Sequence, residues 1–191
     1  MSELLKNEAL KNLFERRSIR SFKSEQIKDE ELKEILEAGK YAPSAANQQS
    51  WHFTVIQNKE ILQKINDVAK SAFEKSGIKR YEERAKAEDF SAFYNAPTYI
   101  IVSADEKAIA PIADSALALG NLFLAAESLG IGSVWIHAVN FLYTTEEGKA
   151  LFKELGIPDG YVTYGSGAFG YNAGEKPKPA PRREGTVNII K

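Results

Sequence analysis

Apolar residues recur along this chain in two rhythms, one near 3.6 residues and one near two, and their alternation predicts a mixed α and β fold. Ser2 caps a first helix whose Leu5, Leu10, Leu13 and Phe14 fall on one side and which ends near Glu15. A second helix opens on Asp29, Glu30 and Glu31, carboxylates suited to a positive helix end, carries Leu32, Ile35 and Leu36 as its apolar stripe, and is stopped by Pro43. Residues 51–57 are rich in aromatic and β-branched side chains and predict a strand. Ile61, Leu62, Ile65, Val68, Ala69, Ala72 and Phe73 then mark the buried side of an amphipathic helix closed by Gly77. Residues 78–94 mix charges with aromatics in a poorly bounded helix, expected to serve as a mobile lid, and Asn95-Ala96-Pro97 breaks it before a strand over 98–104.

From Ile112 to Leu129 the pattern is apolar nearly all round, which predicts a helix enclosed on every face by a large core or by a second subunit. Gly130-Ile131-Gly132-Ser133 turns into a strand over 134–139. Thr144 or Thr145 caps a short helix whose Leu151, Phe152 and Leu155 face inward before Gly156, and a last glycine-spaced strand lies within 161–171. The tail spaces Pro177, Pro179 and Pro181 by single residues, Lys178 and Ala180, and closes on Thr186-Val187-Asn188-Ile189-Ile190. Proline has no amide hydrogen and holds its backbone extended, so this stretch reads as a stiff arm. Its strand-like end either crosses to a neighbouring sheet, such as that of a second subunit, or is a loosely held terminus.

Composition narrows the picture. A chain of 191 residues with 43% hydrophobic and 27% charged residues suits one globular domain, 1–191, able to bury roughly 70% of its unfolded surface. A net charge of −1 gives no general attraction to nucleic acid or an anionic membrane, so any phosphate must be met locally. The absence of cysteine removes disulfides, thiolate metal centres and thiol nucleophiles together. The start carries no basic leader with an apolar run, and the most apolar stretch, 109–129, is interrupted by Asp114, Ser115, Asn121, Glu127 and Ser128. The chain therefore reads as soluble and cytoplasmic.

The chemistry-bearing feature is Arg16-Arg17-Ser18-Ile19-Arg20-Ser21-Phe22, with three guanidinium groups and two hydroxyls after a helix. Guanidinium forks match phosphate oxygens and stay charged at physiological pH, so the cluster is either a phosphate grip or a solvated basic turn. Other constellations fail. Gly130-Ile131-Gly132-Ser133 opens onto a strand instead of a helix, as a dinucleotide loop does not, and Gly165-Ser166-Gly167 better suits a close-packed strand. With only His52 and His137, a histidine-built metal centre is not expected, and no serine elbow is present. His52 reads as a strand residue, while His137 follows the buried run Val134-Trp135-Ile136.

Three ordered blocks carry a resemblance. They are Arg16-Arg17-Ser18-Ile19-Arg20-x-Phe22; Ala42-Pro43-Ser44-Ala45-Ala46-Asn47-x-Gln49-x-Trp51-x-Phe53; and Asn95-Ala96-Pro97. Asp114-x-x-x-Ala118-x-x-Asn121-Leu122, then Leu129-Gly130-x-Gly132-Ser133-x-Trp135-Ile136, and finally Gly170-Tyr171 with Lys176-Pro177-x-Pro179-x-Pro181-Arg182 extend it. In order and spacing the chain resembles the FMN-dependent nitroreductase family from about residue 14 to the end.

The resemblance implies an α+β fold, a central mostly antiparallel sheet wrapped by helices, in an intertwined homodimer with an extended C-terminal arm and FMN at the interface. Arg16, Arg17, Ser18 and Arg20 are then expected at the FMN phosphate and ribityl chain, with Arg182 or Arg183 closing from the far end. Pro43, Ser44, Ala45, Asn47 and Gln49 of the partner subunit are expected at the flavin. Trp135, Ile136, His137 and Ala138 are expected under the ring, their amides near its hydride-accepting nitrogen. The implied activity is ping-pong transfer of a hydride from NADH or NADPH to a nitroaromatic, a quinone or a similar electron-poor acceptor, with no side chain acting as acid or base. NADPH preference would need a cation for the extra phosphate, and Lys79, Arg80 and Arg84 are the candidates. The rival readings are a reductive dehalogenase, a flavin-cleaving enzyme, or a non-catalytic flavin-binding protein. The sequence departs from the family pattern at Ser50, where proline is usual, and at Ala45, often a serine.

Overall fold

A computed structural model describes residues 7–191, so the expected Ser2 cap and Leu5 lie outside the described residues. The first described helix, α1 (Glu8–Glu15), is capped by Asn7, whose side-chain oxygen accepts from the Ala9 and Leu10 amides. It is followed by α2 (Asp29–Lys40), β1 (Trp51–Ile56), α3 (Lys59–Glu74), α4 (Lys79–Ala85) and β2 (Thr98–Asp105). The second half runs α5 (Pro111–Ser128), β3 (Gly132–Ile136), α6 (Val139–Leu142), α7 (Glu146–Glu154) and β4 (Tyr161–Gly170). The four strands form one antiparallel sheet in the order β1-β2-β4-β3.

The sheet is a wall with a core on each side. Central β2 is buried along nearly its whole length, which suits its run of Tyr99, Ile100, Ile101 and Val102. Because side chains alternate along a strand, Ile100 and Val102 face α2 and α5, packing with Ile35, Leu119 and Leu122, while Tyr99 and Ile101 face α3, α6 and α7. On β4 a Cβ at Gly165 would come within 2.6 Å of the Trp135 ring, and one at Gly167 within 2.8 Å of the Phe123 and Phe169 rings. The glycines are thus where aromatic rings cross the sheet, the close-packed strand that their spacing suggested.

Two expectations are corrected. The strand expected over 134–139 starts at Gly132 and stops at Ile136; Ala138 has helical backbone angles and buried Val139 opens α6, because its side chain packs with Leu142 and Leu151. The helix expected over 78–94 is confined to α4, after which turns lead to Tyr94 and Asn95, both with positive φ. Within one chain α5 buries only one face, through Ala118, Leu119, Leu122, Phe123 and Ala126, and leaves Ile112 and Leu117 exposed. The apolar end at 186–190 forms no strand within the chain, and Val187, Ile189 and Ile190 are exposed. No helix among the described residues is long and apolar enough to cross a membrane.

Candidate active site

The arginine cluster is built as an edge. Leaving α1, the chain becomes extended, Ser18 pairs in parallel with Ser133, and the Ile19 amide donates to the Ser133 carbonyl at 3.0 Å. Ile19 is the anchor: it is buried, and a Cβ on Gly132 would lie 3.0 Å from its side chain, so only glycine lets the segment sit this close to β3. Alternation then puts Arg16, Ser18 and Arg20 on the side opposite Ile19. Arg16 and Ser18 are half-buried, whereas Arg20 is exposed with its guanidinium 5.9 Å from the Tyr94 ring centre. Arg17 turns back: its Nη1 donates to the Phe14 and Arg16 carbonyls at 2.6 and 2.7 Å, closing the end of α1. Gln26 fastens the far end of this segment, donating to the Pro97 carbonyl at 2.9 Å and accepting from the Thr98 hydroxyl at 2.5 Å.

Beside this edge lies a cleft of about 490 Å³ floored by Trp135, Ile136, His137 and Ala138 and walled by Tyr94 and Tyr81. Its floor is held from beneath. The Ser166 hydroxyl donates to the Ile136 carbonyl at 2.8 Å and shares a 2.6 Å hydrogen bond with the Tyr99 hydroxyl. Burial pushes the Tyr99 phenol well above its usual range, so it stays protonated as the donor that leaves Ser166 free to serve Ile136. In a planar trans peptide the carbonyl and the following amide point in opposite directions, so the His137 N–H is directed away from β4, toward the open edge of the sheet. The His137 and Phe141 rings meet edge to face with centres 6.5 Å apart, and the Asn140 side-chain nitrogen lies 3.4 Å from His137 Nδ1.

The loop holding Pro43, Ser44, Ala45, Asn47 and Gln49 is equally shaped but sits elsewhere. Asp114, 2% exposed in the first turn of α5, accepts from the Ala45 amide at 3.0 Å and from the Ser50 hydroxyl at 3.3 Å. Ser50, the departure from proline, is therefore an anchor. The Ser44 hydroxyl accepts from the Gln49 amide at 3.0 Å, and Ala46, Asn47 and Gln49 all take positive φ, a strained turn held in place by these bonds. The loop is pinned at Asp114 near the N-terminal end of α5 and the arginine segment pairs with Ser133 after its C-terminal end, with about 21 Å of helix between Asp114 and Ser128. Arg182 and Arg183 lie in the exposed arm, Arg182 donating to the Ala180 carbonyl at 3.2 Å.

One chain thus brings Arg16, Ser18 and Arg20 beside Trp135, Ile136, His137 and Ala138, and brings neither the loop nor the late arginines to them. Tyr94, Ser166, Tyr99 and Asp114 had been assigned no role from sequence. In the sequence Asp114 stands out as a charge inside an apolar helix and opens one of the blocks that carry the resemblance, with no partner indicated.

The match to the Nitroreductase family covers residues 13–171. The chain is 37% identical over 176 residues, 88% of either chain, to a protein of Archaeoglobus fulgidus named as a candidate NADH dehydrogenase/NAD(P)H nitroreductase. Among solved structures, a nitroreductase with bound FMN from Bacteroides fragilis superposes with a TM-score of 0.92 at 40% identity, covering 97% of this chain and 100% of the other. A second with bound FMN, from Desulfitobacterium hafniense, gives 0.85 at 30% identity over 96% and 99% of the two chains. An edge of spaced arginines, a buttressed strand end and a pinned amide loop therefore stand in a chain that belongs to the Nitroreductase family.

Proposed function

We propose that this chain, working as one domain over 1–191, binds FMN and reduces nitroaromatics, quinones or similar electron-poor acceptors with NADH or NADPH in a ping-pong order. The observation that carries the reading is the Arg16–Arg20 segment paired along β3 and leading to the cleft floor at Trp135–Ala138. The donor chemistry fits the cofactor: guanidinium and hydroxyl groups for a phosphate, then a strand end with an outward amide for a flat heterocycle. Bound FMN supplies the acceptance of a hydride from the nicotinamide and its delivery to the acceptor.

The chain's own residues bind, orient and exclude water. Arg16, Ser18 and Arg20 hold the phosphate end; Arg17 fixes the backbone that presents them. Trp135, Ile136 and Ala138 make the apolar floor, and the His137 N–H offers a donor where negative charge develops on reduction. Pro43, Ser44, Ala45, Asn47 and Gln49 of the partner subunit complete the ring pocket, since in one chain that loop is at the wrong end of α5. Two chains related by a two-fold axis, their α5 helices antiparallel, bring each loop to the other's arginines. The exposed Leu13, Phe14, Ile112 and Leu117 on α1 and α5 provide an apolar face for that contact. A groove of about 670 Å³ between α2 and the free edge of β1, lined by Leu32, Leu36, Trp51, Phe53 and Val55, suits the partner's apolar arm end. The crossing arm would carry Arg182 or Arg183 to the site. A cytoplasmic setting, with its supply of reduced nicotinamide, belongs to the same reading.

The FMN-loaded protein should oxidise NADH or NADPH only when a quinone or nitroaromatic acceptor is present; no turnover with either nucleotide would sink the reductase reading in favour of a flavin-binding protein. Arg16→Ala combined with Arg20→Ala should abolish FMN retention while circular dichroism reports an unchanged fold. Wild-type flavin occupancy in that double variant would refute the phosphate assignment.

A further inference from the structure

The wall of the cleft opposite its floor comes from α4, and its charge is one-sided. Arg80 and Arg84 both line the cleft with His137, and none of the lining residues is a carboxylate. Spaced four apart, the two arginines share one face of the helix. They are not equivalent. Arg84 is engaged, its Nη1 3.0 Å from Asp89 and its guanidinium 5.7 Å from the Phe90 ring centre. Arg80 is exposed and has no hydrogen-bond or ion-pair partner among the described residues. Its neighbour Tyr81 is wedged between Phe73 and Phe141, with ring centres 4.8 and 4.5 Å away, and Ala85 is fully buried. The helix is therefore fixed by aromatic packing while Arg80, with no partner among the described residues, lines the cleft.

We propose that Arg80, backed by Arg84, selects substrates that carry an oxyanion into the cleft, so that an anionic aromatic or a phosphate-bearing nicotinamide is preferred over its neutral counterpart. The inference rests on the reductase reading above. A guanidinium recognises carboxylate and phosphate alike through paired N–H donors, so the oxyanion has two sources, the carboxylate of an acceptor or the extra phosphate of NADPH.

The test uses the FMN-loaded protein and its Arg80→Gln variant. Calorimetric titration with benzoate and with benzamide measures anion preference without turnover. Wild-type protein should bind benzoate the more tightly, and R80Q should weaken benzoate about tenfold, the worth of one charge-assisted contact, while benzamide shifts less than twofold. In steady state, a selective fall in kcat/KM for 4-nitrobenzoate against 4-nitrobenzamide assigns the oxyanion to the acceptor. A selective fall for NADPH against NADH assigns it to the nicotinamide phosphate. Equal losses for charged and neutral ligands, or no change in benzoate affinity, overturn the proposal. If the wild-type protein turns over no acceptor, the reductase reading fails and the benzoate and benzamide pair still decides the anion preference.

Discussion

Tyr171 shows how a single hydroxyl can tie two elements together. Its Oη donates to Glu31 Oε2 at 2.5 Å, and the same oxygen accepts the Lys28 amide at 2.9 Å, so one carboxylate joins the end of β4 to the start of α2. The Tyr171 hydroxyl, and then the Lys28 amide, hold the Glu31 carboxyl below its ordinary value of 4.5. A depressed carboxylate contributes stability above its unfolded value and loses it as pH falls through the folded one. The Glu31 contact conversely raises the Tyr171 phenol, whose contribution is present below its ordinary value of 10 and fades above it. Tyr171→Phe should therefore be less stable than wild type near pH 7, by the loss of one hydrogen bond. In urea titrations the gap between the two proteins should narrow below about pH 4.5, as expected of a carboxylate losing its charge. A gap independent of pH would mean that the Glu31 contact is not the cause.

At the scale of elements, the amide loop depends on α5 more than on itself. Asp114→Ala leaves the Ala45 amide and Ser50 hydroxyl without their buried acceptor, a cost of about 2 kcal/mol that falls on a turn already strained by three positive φ angles. The expected outcome is faster hydrogen exchange across 44–50 and weaker FMN retention, with the helices unchanged; unaltered exchange there would show that the loop holds without its anchor. The sequence carried the amphipathic helices, the strands and the arginine edge plainly, because burial periodicity and guanidinium clustering are local signals. It carried Asp114 poorly. A buried carboxylate that ties down a loop 69 residues earlier leaves no local pattern. The end of β3 was misplaced for a related reason: Val139 is apolar in either a strand or a helix, and only its packing with Leu142 and Leu151 decides between them.

For the whole molecule, the main consequence is division of labour. The sheet with its two cores places the arginine segment beyond one end of α5 and the amide loop at the other, with about 21 Å of helix between Asp114 and Ser128. The nearly uniform apolarity of α5 foretold burial on every face, and one chain covers half of it; the exposed Ile112 and Leu117 are the remainder. In the proposed dimer each site depends on two copies of the chain, and a lesion in one copy can be answered by the other. A chain lacking Arg16 and Arg20 keeps a sound loop, and a chain lacking Asp114 keeps a sound grip. Co-expressed in equal amounts, these two crippled chains should pair at random, and every mixed pair should hold one site with both lesions and one with neither. About a quarter of the sites should regain wild-type flavin retention, as the statistics of a two-fold assembly require. In that dimer the amino-acid sequence of this protein would be read twice for each active site.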